Sequence, residues 1–193
     1  LRNKYRVKTK LLIGADGRNS FIRDYYNIKT QITDLEQKAV TFITQHKKSH
    51  NNISYEIYNT GGPFTTVPLK SNEEKKSAVI WVNDSLKINK LLSLSKIELQ
   101  GEINKRSCDV LGKISINSDL QISSVSTQLA DKFVDHRMIL IGEAAHALPP
   151  IGAQGLNLTI KDIRLIFDLI KKYKNSIGSN EMIAEFNFKR LID

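Results

Sequence analysis

Cysteine is almost missing from this sequence: Cys108 is the only one among 193 residues. That excludes a disulfide framework and a cysteine-built metal cluster, and it makes a reducing, cytoplasmic setting the default. No stretch approaches the roughly 18 consecutive apolar residues of a membrane-spanning helix. The opening residues Leu1-Arg2-Asn3-Lys4-Tyr5 contain no apolar signal core. His46, His50 and His136 lack metal-ligand spacing, so no zinc site is expected. Internal repeats are absent as well. Basic residues do exceed acidic ones, 29 against 20, giving a net charge of +9. The excess is scattered, with no arginine-rich run and no interleaved aromatics, so nucleic-acid binding is not expected. Abundant Lys, Asn and Ile, as in proteins from AT-rich genomes, account for it. Lys47-Lys48 and Lys171-Lys172 read as solvated faces, with contact to an anionic membrane surface as the alternative.

What is present is ordinary for a globular chain: 40% hydrophobic and 25% charged residues, enough for one good core or a domain plus a smaller one. Residues 10–13 read as a buried strand that breaks at Gly14. Residues 19–26 read as a short helix with Phe21, Ile22 and Tyr25 on its apolar side. Four β-rich runs follow at 39–43, 53–58, 64–69 and 78–82. Turn signals separate them at Asn51-Asn52, Gly61-Gly62-Pro63 and Ser71-Asn72-Glu73, a pattern that predicts an antiparallel sheet. Residues 86–111 have helical spacing, with Leu91, Leu94 (or Ser95), Leu99 and Ile103 as inward candidates. Residues 121–129 predict a strand with Ile122, Val125 and Leu129 apolar, and residues 137–141 a short buried one. Leu156, Ile160, Ile163, Phe167 and Ile170 then recur as one helix face, and residues 181–192 predict a last helix. A strand–turn–helix unit thus sits at each end, with an antiparallel sheet between them.

The two end units share a peculiarity. In the first, Leu12-Ile13-Gly14-Ala15-Asp16-Gly17-Arg18-Asn19-Ser20 leaves a strand through a glycine and an acid, with Arg23 one turn later. In the second, Leu140-Ile141-Gly142-Glu143-Ala144-Ala145-His146 does the same, followed by Pro149-Pro150-Ile151-Gly152-Ala153-Gln154-Gly155-Leu156-Asn157. Each turn puts a carboxylate just past the C-terminal end of a strand, the edge where α/β sheets bind ligands. Each opens a helix whose free N–H groups favour an anionic or carbonyl-bearing ligand. An ionised carboxylate there can only accept hydrogen bonds, which suits a sugar hydroxyl or polyol. A single such turn would read as an N-cap on a glycine turn; two in one chain point to a binding edge. His146 could donate a hydrogen bond near this loop, but it reads rather as a loop-packing residue, because the sequence shows no orienting partner. Trp81 and Tyr55 lie on predicted strands, where they could line an aromatic substrate pocket or pack the core.

These residues resemble a known family. "GADGRNSFIR" is similar to the Asp-Gly motif of class A flavoprotein monooxygenases of the para-hydroxybenzoate hydroxylase type. "LIGEAAHALPPIGAQGLNLTIKD" resembles their second flavin motif, with a particular likeness to the hydroxylases of ubiquinone biosynthesis. "ISYEIYNTGGPFTTVPL" and "SAVIWV" look like that subfamily's substrate-side sheet. The resemblance implies a mixed α/β fold: a Rossmann-like FAD/NAD(P)-binding layer, incomplete here, plus an antiparallel-sheet substrate domain. The FAD-binding parts would be residues 1–30 and 131–193, and the substrate domain residues 31–130. It further implies FAD as cofactor, NAD(P)H as reductant, O2 and a polyprenylated phenol as substrates, and possible membership of a ubiquinone-biosynthesis complex. A place in the cytoplasm, peripheral at the inner membrane face, would fit.

Carried over by motif, Gly14, Asp16, Gly17, Ser20 and Arg23 would serve flavin binding. Gly142 and Glu143 would meet the ribityl chain. Pro150, Gly152, Gln154, Gly155, Leu156 and Asn157 would lie beside the flavin ring, where backbone N–H groups stabilise negative charge as an oxyanion hole does. Asp162 matches the last acid of the signature, and no side chain is required as a catalytic group. The chain departs from the pattern at Glu143 (usually Asp or Asn), Pro149 (usually His), Ala153 and Thr159 (both usually Gly). It opens on Leu1 and shows no strand–Gly-x-Gly-x-x-Gly–helix segment. The alternative expectation is therefore a non-catalytic fragment or split-gene product that cannot hold FAD alone.

Overall fold

The computed structural model describes residues 6–59, 61–70, 75–150 and 152–191. In chain order the elements are β1 (Leu12–Gly14), α1 (Phe21–Tyr25), β2 (Thr30–His46), β3 (Tyr55–Asn59), β4 (Gly62–Pro68), β5 (Lys76–Asp84), α2 (Ser85–Leu92) and α3 (Lys96–Arg106). Then come β6 (Ile114–Ile116), β7 (Gln121–Ala130), β8 (Val134–Asp135), β9 (Met138–Leu140), β10 (His146–Ala147), α4 (Gln154–Lys172) and α5 (Asn180–Leu191). The predicted turn at Ser71-Asn72-Glu73 lies outside the described residues. The chain divides into two compact units: residues up to Thr33 together with those from Ser126 onward, and Asp34–Val125 between them. The backbone passes from one to the other inside β2 and inside β7.

The inserted unit is built on antiparallel strands. β2 pairs with β5, β5 with β4 and β4 with β3, and β6 adds to β2. Register sets Val40 opposite Trp81 and Trp81 opposite Phe64. Alternation along the strands then gives one face to Val40, Phe42, Val79, Trp81 and Phe64, which bury against Ile88, Leu99 and Ile103 of α2 and α3. Phe64 and Trp81 meet edge to face, with ring centroids 5.7 Å apart, and Trp81 Nε1 donates to Gly61 O at 3.2 Å. The opposite face carries a smaller cluster of Ala39, Val82 and Val125. The helix predicted over 86–111 is two helices. The break comes at Ser95, which caps α3 with Glu98 in a reciprocal capping box.

The other unit holds a small sheet in the order β1-β9-β8. β1 and β9 run parallel, with Leu12 opposite Met138, Ile13 opposite Ile139 and Gly14 opposite Leu140. Ile139, Ile141, Ile166, Leu169, Met182 and Phe186 form a core joining the sheet to α4 and α5. Ile28, Met138, Leu140 and Ala144 form a second cluster, with Ile22 packed against it.

Two predicted helix faces hold only in part. In α1, Ile22 packs inward as predicted, but Phe21 and Tyr25 are each 71% exposed and the buried residue is Arg23. In α4, Ile170 of the periodic stripe packs against the core as predicted, but Leu156, Ile160, Ile163 and Phe167 are 53–63% exposed, while Asp162, Ile166 and Leu169 are buried. A helix apolar on two sides buries the side that meets its own sheet, and period alone does not say which side that is. Ile122 and Leu129 of β7 are also 48% exposed, and only Val125 of that predicted trio is buried.

Candidate functional site

Because β1 and β9 are adjacent and parallel, the two glycine-acid turns leave the sheet side by side at the same C-terminal edge. Gly14 makes the first turn possible. A Cβ built on it would meet Leu140 Cδ2 at 2.7 Å and Ile22 Cγ2 at 3.0 Å, so any larger residue would push β1 away from β9 and α1. Asp16 then organises α1. Its Oδ1 accepts from Ser20 Oγ at 2.5 Å and its Oδ2 accepts from the Ile22 N–H at 3.0 Å. Ser20 Oγ in turn accepts from the Arg23 N–H at 3.0 Å as the N-cap. Burial alone would raise the Asp16 carboxyl, but the hydrogen bonds from Ser20 and the Ile22 backbone outweigh it and hold the group below its usual range.

The two turns are tied directly to each other. The Ile141 N–H donates to Gly14 O at 2.9 Å, and buried Arg23 donates from Nη1 to Ala144 O at 3.2 Å. Arg18 donates to Ser126 O at 2.9 Å, and Gln128 Nε2 donates to Arg18 O at 3.0 Å. In the second turn, Gly142-Glu143-Ala144 forms a single 3-10 turn. Gly142 stands at φ +58°, in the left-handed region that favours glycine. Glu143 projects outward and makes no hydrogen bond among the described residues.

Pro150, Gly152, Gln154, Leu156 and Asn157 are exposed and Gly155 half-buried, all around the start of α4. Ala153, immediately before the helix, is left-handed at φ 51° and provides no side-chain cap. The first N–H groups of α4 therefore have no side-chain acceptor at the cap position. Where the family pattern has glycine at 153, the backbone here adopts the conformation glycine favours, with alanine in place. Thr159, the other departure, donates from Oγ1 to Gly155 O at 2.8 Å and borders Gly142.

Beneath the second turn lies a buried charge cluster that the sequence did not reveal as one. Asp162 is 2% exposed. Its Oδ1 accepts from Arg190 Nε at 2.6 Å, and its Oδ2 accepts from the Gly142 N–H at 3.3 Å and from His146 Nε2 at 2.9 Å. The carboxylate can only accept, so His146 carries its proton on Nε2. Phe133 packs edge-on against the imidazole, with ring centroids 6.3 Å apart. His146, expected to be a packing residue, thus has an orienting partner. The sequence signal for Asp162 was its match to the last acid of the signature; nothing in sequence pointed to Arg190. Of the suggested substrate contacts, Trp81 sits in the core of the inserted unit and Tyr55 packs against that core.

The chemical capacity of this edge is specific. Two carboxylates at the ends of adjacent strands, glycines that allow close backbone approach, and uncapped helix N–H groups fit a ligand with hydroxyls along a chain and carbonyls on a ring. FAD has that chemistry, and the residues present fit it.

The family model described as FAD binding domain matches residues 2–191. The chain is 29% identical over 190 residues to the ubiquinone hydroxylase UbiL of Rhodospirillum rubrum, covering 97% of this chain and 44% of that protein. It is 24% identical over 190 residues to the 3-demethoxyubiquinol 3-hydroxylase of Escherichia coli, covering 97% and 48%. The chain spans about half the length of these relatives. Among solved structures it resembles PqsL of Pseudomonas aeruginosa with a TM-score of 0.73 at 16% identity, over 94% of this chain and 51% of that one. It also resembles the p-nitrophenol 4-monooxygenase PnpA of Pseudomonas putida, with a TM-score of 0.67 at 18% identity over 93% and 45%. The fold is that of the para-hydroxybenzoate hydroxylase type, and the chain belongs to the FAD binding domain family, among flavoprotein monooxygenases related to the ubiquinone hydroxylases.

Proposed function

We propose that this chain supplies the flavin-holding edge of an NAD(P)H-using, FAD-dependent aromatic hydroxylase whose substrate is a polyprenylated phenol. The observation that carries the reading is the parallel pairing of Gly14 with Leu140, which sets both motif turns at one sheet edge. Glu143 and Asp16 would accept hydrogen bonds from flavin hydroxyls. The free N–H groups of Gly155 and Leu156 would face the carbonyl edge of the ring, where they favour negative charge, while the Asn157 N–H closes the first helical turn onto Ala153 O at 3.0 Å. Arg23 and Asp162 hold the turns in place from below. Bound FAD supplies the redox chemistry with nicotinamide and O2, and the protein contributes binding, orientation and exclusion of water. The relatives' names, ubiquinone hydroxylases, support the phenol class. Among the described residues no helix is long and apolar enough to cross a membrane. Peripheral contact through the positive surface, at the cytoplasmic side of the membrane and within an assembly of pathway enzymes, fits a lipid-soluble substrate.

Titration of the protein with FAD, followed by quenching of flavin fluorescence, tests the reading. Saturable binding is expected, weakened roughly tenfold or more in Glu143→Ala through loss of a charged hydrogen-bond acceptor. No saturable binding, or equal affinity in Glu143→Ala, would overturn it.

A further inference from the structure

The inserted unit carries a second candidate site, built without any residue of the two motif turns. Between the sheet and helices α2 and α3 is an open cavity of about 930 Å³, within the size range of small-molecule pockets. Its lining is of two kinds. Trp81, Ile88, Leu91 and Leu94 give it an apolar wall, while Lys87, Lys90, Lys105 and Arg106 make it cationic.

Arg106 is the unusual member. It is 7% exposed, and its Nη2 donates to the carbonyls of Ile57, at 2.7 Å, and Gly62. Its Nε and Nη1 are buried with no hydrogen-bond partner among the described residues. Arginine cannot escape this by losing its proton, although burial does pull its pKa below the ordinary value. A buried cation with unused donors is costly unless an acceptor reaches it. The carboxylates in the lining are already engaged. Glu102 pairs with Lys105 at 2.7 Å, and Glu98 accepts from the Ser95 N–H at 2.9 Å and from Ser95 Oγ at 2.7 Å. Lys87 and Lys90 have no ion pair among the described residues.

We propose that this cavity binds a monocarboxylate carried on an apolar body, with the carboxylate at Arg106 and the apolar part along Trp81, Ile88 and Leu91. The four cations of the lining outnumber Glu98 and Glu102, so an anion is favoured over a neutral ligand, and the unused donors of one buried guanidinium match one carboxylate.

The protein reports on this cavity by itself, since Trp81 is its only tryptophan. Laurate, kept below its micelle concentration and titrated without flavin, should change Trp81 fluorescence in a saturable, single-site manner. Dodecanol, which has the tail without the charge, and acetate, which has the charge without the tail, should each bind at least about tenfold more weakly. Arg106→Gln should weaken laurate binding by about tenfold or more. Because Arg106 also ties β3 to β4, the surface double variant Lys87→Glu/Lys90→Glu provides the same test in a chain whose carbonyl ties are intact, and it too should weaken binding. A non-saturable response to laurate, an equal response to dodecanol or acetate, or unchanged binding in the double variant would overturn the proposal. None of these readouts involves FAD, so they stand or fall separately from the flavin reading.

Discussion

Replacing Asp162 by alanine removes the one carboxylate that accepts from Arg190, His146 and the Gly142 N–H at once. Both Asp162 and Arg190 are more than nine-tenths buried, so the loss is not cushioned by water. Removing one member of a buried ion pair costs about 3–5 kcal/mol, because the remaining charge stays desolvated. That is a large part of the roughly 5–15 kcal/mol that holds a domain folded. With a urea dependence of about 2 kcal/mol per molar, the unfolding midpoint should fall by on the order of 2 M. Asp162→Asn should not rescue it. An amide offers one accepting oxygen and one donating nitrogen, and in either orientation the nitrogen faces a donor: Arg190 Nε on one side, the Gly142 N–H and His146 Nε2–H on the other. Asp162→Leu combined with Arg190→Met removes both charges and should recover a substantial share of the loss. Urea unfolding followed by far-UV circular dichroism measures all three. A midpoint in Asp162→Ala within about 0.5 M of the parent, or an Asp162→Asn indistinguishable from the parent, would refute the reasoning.

Three further expectations follow from single positions. Ala153→Gly should stabilise the protein by about 0.5–1 kcal/mol in the same urea assay, since it relieves a left-handed alanine at φ 51°. Gly14→Ala should destabilise by roughly 1–3 kcal/mol, because the new methyl lands 2.7 Å from Leu140 Cδ2; a cost near zero would mean that β1 and α1 shift freely. Glu185 accepts from Lys172 at 2.7 Å, Lys189 at 2.9 Å and Tyr173 at 2.8 Å, and these hold its carboxyl down to about 2. A depressed carboxyl stabilises fully above its ordinary value of 4.5 and loses that contribution as pH falls through about 2. Stability measured across that window should therefore decline less steeply in Glu185→Gln than in the parent.

The turns were legible because their chemistry is local. Glycine followed by an acid, then a serine cap, specifies strand, turn and helix start within nine residues, and Gly14 through Ser20 behave that way. The capping box that splits α2 from α3 was equally local, as Ser95-x-x-Glu98, and the continuous helical spacing around it concealed the break. What sequence could not give was direction. The apolar residues of α4 form two stripes, and only the position of the sheet decides that Ile166 and Leu169 turn inward while Ile163 and Phe167 face out. The Asp162–His146–Arg190 cluster was invisible for a similar reason: its members lie on three segments that only tertiary packing brings together. Trp81 was read by type as either a pocket wall or a core residue; its register opposite Phe64 puts it in the core and along the cavity at once.

The pairing of Leu12 with Met138 also constrains the order of events during synthesis. When β1 leaves the ribosome, the strand it needs has not yet been translated, and it must wait while everything through β8 emerges. The inserted unit, Asp34–Val125, is continuous in sequence and can close on itself in that interval. Once it has, the ends of a long chain are already gathered, and the entropy of closing the parallel pair falls to that of the short segments remaining. The sheet edge that carries the two glycine-acid turns thus cannot form until β9 has been translated, and mutations that slow the inserted unit would delay it without touching a single motif residue.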